Sequence, residues 1–135
     1  MNKEQITSKT EASIRQQLYQ RGYATCIDTM VSLGWLNPKD VSRWQKGEIP
    51  YLERVCGSNL GHLNTFLKAY HQYAMKNGYK ENWTCYRHKK TKKMLRFSKS
   101  GNEVVEKRYA THIVCMECKK KEKVKEVLDG EKNTK

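Results

Sequence analysis

The sequence predicts an α+β protein: a helical N-terminal unit followed by a small antiparallel β-sheet. Two observations predict this. Up to about residue 79 the chain is punctuated by helix caps and glycine stops, with apolar residues spaced three and four apart. Beyond Tyr79 the pattern changes to short β-rich runs broken by basic residues and turn signals. A third observation says that the chain folds at all: thirteen aromatics among 135 residues exceed what a disordered chain carries, although only 37% of residues are hydrophobic.

The elements follow in order. Ser8-Lys9-Thr10-Glu11 has capping-box spacing and predicts a helix to about Arg21, stopped by Gly22, with Ile14 and Leu18 on one face. Thr25 and Asp28 can cap a second helix that carries Ile27, Met30 and Val31 and closes at Gly34. Asn37-Pro38 is an N-cap followed by proline at the first helical position, and it starts a short helix over 38–46 with Asp40 in its first turn. Gly47 and Pro50 stop that helix; a further turn can run from Pro50 to Cys56. Ser58 or Asn59 begins the longest helix, to Asn77-Gly78, with Leu60, Leu63, Leu67, Tyr70 and Ala74 on one stripe. His62 and His71 border that stripe. Residues 84–86 and 94–97 read as strands of an exposed hairpin. Ser98-Lys99-Ser100-Gly101-Asn102 is a turn, Glu103–Tyr109 alternates as a strand does, and Thr111–Cys115 is a further β-rich run. The division is thus a helical unit over 1–79, a basic antiparallel sheet appendage over 80–118, and a basic, partly disordered tail over 119–135.

Charge is distributed unevenly. The net charge is +13, from 27 Lys and Arg against 14 Asp and Glu. Residues 1–75 carry nine cations and six anions, whereas residues 76–135 carry eighteen and eight, so the balance rises from +3 to +10. Such an excess calls for a polyanion partner, or serves as a solvated coat. The polar N-terminal stretch has no export signal, no apolar run reaches membrane-spanning length, and the cysteine count of five is odd. The expectation is a cytoplasmic protein with no membrane partner. Phosphate-binding glycine loops, GxSxG and HExxH are absent, and the carboxylates form no paired metal site, so the expectation is also that it is not an enzyme.

Helix 38–46 carries the sharpest functional signal. At 100° per residue Val41 and Trp44 face one way, while Lys39, Ser42, Arg43 and Lys46 face the other. A groove-reading helix needs this division; an ordinary amphipathic helix with a basic face would show it too. Around it stand Leu33-Gly34, Val41-Ser42-Arg43-Trp44, Gly47 and Pro50, and residues 24–56 resemble the phage-repressor type of helix-turn-helix, with one more residue in the turn and one fewer before the proline. The resemblance implies that 38–46 enters the major groove of duplex DNA. Arg43 would then pair with guanine and Lys39 and Lys46 would reach phosphates. Arg87, Lys89, Lys90, Lys92, Lys93 and Arg96, with the basic 119–125 segment, would supply further phosphate contacts.

Cys85-x-x-His88 and Cys115-x-x-Cys118 form two pairs with 26 residues between them. Four such ligands suit one structural zinc, and residues 80–120 loosely resemble a zinc ribbon. His112 competes as a ligand, and the alternatives are reduced thiols or a redox pair. Cys26 and Cys56 lie in apolar stretches and read as core. Trp83, Tyr86, Phe97 and Tyr109 stand among the basic residues, where they can stack on bases or bury one sheet face against the long helix. The expected function is non-catalytic nucleic-acid binding with a role in transcription regulation; the alternative is a small regulatory protein that binds an acidic protein partner.

Overall fold

A computed structural model describes residues 2–88 and 90–115. It is a mixed α+β fold with five α-helices and a three-stranded antiparallel sheet among the described residues. Helix α1 spans Lys3–Arg21. It begins earlier than the Ser8 spacing predicts because Asn2 and Gln5 cap each other: the Asn2 side chain accepts from the Gln5 amide at 2.8 Å, and Gln5 accepts from the Asn2 amide at 3.0 Å. Thr10 is instead buried within the helix. Gly22, left-handed at φ 78°, ends it.

Strand β1 (Tyr23–Thr25) runs directly into α2 (Cys26–Ser32), with Thr25 capping the helix through the Asp28 amide at 3.1 Å. A buried side chain holds this corner. Gln17 donates to Thr29 Oγ1 at 2.9 Å and to Ser13 Oγ at 3.1 Å, and its carbonyl oxygen accepts from the Thr25 amide at 3.0 Å and from Arg21 at 2.8 Å. All of its polar capacity is thereby used, as burial demands. Helix α3 spans Pro38–Gln45, capped by Asn37 as the sequence predicts. A 3₁₀ turn over Leu52–Val55 follows, and then α4 (Leu60–Lys76), capped by Asn59. Of the predicted stripe, Leu63, Leu67, Tyr70 and Ala74 are buried, joined by Phe66 and Tyr73, whereas Leu60 in the first turn is 64% exposed; α4 packs along α1.

The sheet differs from expectation. Strand β2 is Lys80–Trp83, and β3 is Thr111–Val114. Strand β3 is central, pairing antiparallel with β1 on one side (Ala24 opposite Ile113) and with β2 on the other (Asn82 opposite His112). Residues 84–86 and 94–97 are not strands of this sheet; their hairpin holds a single bridge, between Arg87 and Met94. Residues 103–109 form a helix, α5 (Glu103–Tyr109), rather than a strand. The Asn102 side chain accepts from the Val104 amide at 2.9 Å, Glu103 and Glu106 occupy the first turn, and Val105 and Tyr109 turn inward four apart.

One hydrophobic cluster extends from Ile6 to Cys115 and takes side chains from both sides of residues 79 and 80. Tyr70 crosses that line, with its hydroxyl 3.0 Å from the carbonyl oxygens of both Ala24 and Thr111. Among the described residues no helix is long and apolar enough to cross a membrane. The expected tail over 119–135 lies outside the described residues.

Candidate nucleic-acid interface

Helix α3 presents the division that its sequence predicts. Trp44 is fully buried and Val41 packs beside the core, while Lys39, Ser42, Arg43 and Lys46 are exposed. Arg43 lies 3.4 Å from Asp40 and 3.7 Å from Glu48. All three side chains are at least partly solvent-exposed, so these pairs contribute little to stability and yield readily to a competing anion.

Trp44 is the root that joins α3 to the basic hairpin. Its indole N–H donates to the Arg96 carbonyl at 2.7 Å, and its ring meets Phe97 at 4.9 Å and Tyr86 at 5.8 Å between centroids. The hairpin closes through Leu95 N–H to the Tyr86 carbonyl and His88 N–H to the Lys93 carbonyl, both 2.8 Å. Arg87, Lys90, Lys92, Lys93 and Arg96 are exposed on it. Lys89 lies outside the described residues, as do Cys118 and the 119–125 segment.

His88 makes the closest tie. Its Nδ1 accepts from the Lys90 and Thr91 amides, each at 3.1 Å. Both partners are donors, so Nε2 carries the proton, and it donates to the Lys46 carbonyl at 2.7 Å. The turn bearing the cationic run is thereby fastened to the C-terminal end of α3. Gly47 makes room: its φ is +80°, and a Cβ there would come 2.8 Å from His88 Cδ2.

The same contacts bear on the four expected zinc ligands. Of the four expected zinc ligands, His88 has both ring nitrogens in the hydrogen bonds given above, and Cys118 lies outside the described residues. Cys85 is a half-buried free thiol, and Cys115 is buried just beyond β3, where its amide donates to the Gly22 carbonyl at 3.0 Å. Among the described residues no three His, Cys, Asp or Glu side chains gather as a metal-holding group. His112, the competing ligand, has Nε2 2.9 Å from the Tyr86 hydroxyl and its ring stacked on Tyr23. Burial, reinforced by Arg21, lowers its pKa. Burial pushes the Cys26 thiol well up, and the Cys56 thiol to about 11, which keeps both protonated and unreactive.

Two carboxylates without local sequence signals hold the far end of the hairpin. Glu106 accepts from the Phe97 and Ser98 amides at 2.8 and 2.7 Å, and Glu53 accepts from the Lys99 amide at 2.9 Å and the Tyr109 hydroxyl at 2.7 Å. Of the four aromatics, Phe97 and Tyr109 are buried in parallel stacking at 5.4 Å, Tyr86 is half-buried, and Trp83 stays exposed. Comparison with known protein families, with curated proteins and with solved structures finds no match.

Proposed function

We propose that this chain is a non-catalytic nucleic-acid-binding protein that docks on duplex DNA, with α2 and α3 acting as a helix-turn-helix and the 86–95 hairpin as a wing. The observation that carries this reading is the fastening of the hairpin's cationic turn to the end of α3 by the His88–Lys46 hydrogen bond. A donor-rich helix face alone is a common surface. A donor-rich face rigidly joined to a second cationic element is a preorganised polyanion footprint. Lys39, Ser42 and Arg43 face the groove, with Arg43 placed for a base edge, and Lys46, Arg87, Lys90, Lys92, Lys93 and Arg96 grip phosphates. The chain's +13 charge supports the same reading.

Titration against a random-sequence duplex at several salt concentrations tests it. About six phosphate contacts lose roughly three decades of affinity between 50 and 200 mM salt. A flat salt dependence, or no binding at low salt, overturns the reading and leaves the acidic-protein alternative.

A further inference from the structure

We infer that the cavity between the hairpin and α5 receives one unpaired base of the bound nucleic acid, an inference that rests on the function proposed above. The cavity measures about 300 Å³, at the small end of the range for ligand pockets. Its floor is apolar, made by Tyr86, Leu95, Phe97 and Ala110. Trp83 and Met94 also line it, and they remain 53% and 56% exposed. Exposed large apolar side chains beside a cavity are surface that a ligand can cover. An indole offers the flat face on which any base stacks.

The cations beside the cavity select the occupant. Arg96 and Lys107 line the cavity, and the Lys107 ammonium lies 5.8 Å from the centre of the Trp83 ring. Glu103, also on the lining, is exposed to solvent. Glu106 lines the cavity too, but its carboxylate is taken up by the Phe97 and Ser98 amides and the Ser98 hydroxyl. Two cations and two carboxylates thus line the cavity itself, and the cationic excess lies on the adjoining hairpin turn. A nucleotide supplies both parts, a base for the apolar floor and a phosphate for the cationic turn. The cavity wall is formed by the arms of the same hairpin whose turn carries Arg87, Lys90, Lys92 and Lys93. A phosphate backbone that follows those cations passes the cavity mouth. Fully paired duplex hides its base faces by stacking, so the occupant is an unpaired or extruded base.

Two duplexes that differ only by one extra unpaired thymidine provide the test on the full chain. The bulged duplex is expected to bind on the order of tenfold tighter, the scale of one base–aromatic stack. Trp83→Leu should bring that ratio to about one. Trp35 and Trp44 are buried, so the bulged duplex should also quench the emission that wild type has in excess of Trp83→Leu. The wild-type ratio stands as a readout even if the variant folds poorly. Equal affinities with no quenching overturn the base pocket while leaving duplex binding intact. Binding to neither duplex overturns both readings. Saturable quenching by an acidic, aromatic-bearing peptide, with no response to the thymidine, overturns the base pocket in favour of a protein partner.

Discussion

Arg43 and His112 show how differently two polar side chains are used. Arg43 is held only by exposed, long ion pairs, so losing it should leave folding almost untouched and act on binding. Arg43→Ala is expected to lose roughly 1–3 kcal/mol on a cognate duplex and to relax preference at one base pair. Lys92→Ala should weaken all sequences alike and reduce the salt slope by about one. A competition assay over a randomised site reads both; if the two variants behave identically, α3 is not the reading element. His112 works through stability. It is packed between Tyr23 and Tyr86, with Arg21 and Asp28 nearby, and its folded pKa lies below the ordinary 6.5. The unfolded chain therefore binds this proton more readily than the native one, so stability rises with pH across that interval. The contribution is complete above about pH 6.5, the ordinary value, and is lost as pH falls through the depressed folded value. His112→Gln should flatten the dependence of the urea midpoint on pH below 6.5; an unchanged slope would show that the proton is taken up elsewhere.

The hairpin–α3 junction is where the element scale bears on the proposed function. As a tether, His88 needs one donor at the position of Nε2, which a glutamine amide supplies. His88→Gln is expected to keep duplex affinity within a few-fold, whereas His88→Ala should lose much of the hairpin's contribution, so that Lys92→Ala costs less in that background. A zinc ligand at His88 would instead make both variants equally damaging and sensitive to chelator, and elemental analysis of each protein separates the two outcomes. The face of α3 was legible in the sequence because helical periodicity and the Asn37-Pro38 start are local signals. So were the caps at Thr25 and Asn59 and the apolar stripe of α4. The tether was not legible, because it joins residues 46 and 88, far apart in sequence, through one hydrogen bond. Strand β1 has three residues, and every residue of β2 is exposed, so neither carries an alternating apolar pattern. The alternation of 103–109 reads as a strand, while the Asn102 cap and the acidic first turn settle it as helix once the loop is anchored by Glu106.

At the scale of the whole molecule, the helical part and the sheet depend on each other. Central strand β3 comes from the second half of the chain and gives β1, from the first, its hydrogen-bonding partner. The Tyr70 hydroxyl rests on a carbonyl from each half, and Trp44 is covered by Tyr86 and Phe97. Cutting the chain after residue 79 would expose the apolar surface that Phe97, Tyr109 and Ile113 cover. At roughly 1.5–3 kcal/mol for each buried large apolar side chain, the loss from these three is about 5–9 kcal/mol. That is comparable with the entire 5–15 kcal/mol stability of an ordinary domain. A fragment of residues 1–79 is therefore expected to keep helical propensity without a fixed core, with Trp35 and Trp44 emission shifted toward that of solvated indole and a broad urea transition. The full chain should unfold in one step, with far-ultraviolet circular dichroism and tryptophan emission giving the same midpoint. Non-coincident midpoints, or a fragment that unfolds sharply on its own, would show two independent units. A single transition would make α3 and the hairpin one rigid surface, because the buried Trp44 ring that roots α3 is packed against Tyr86 and Phe97 of the hairpin.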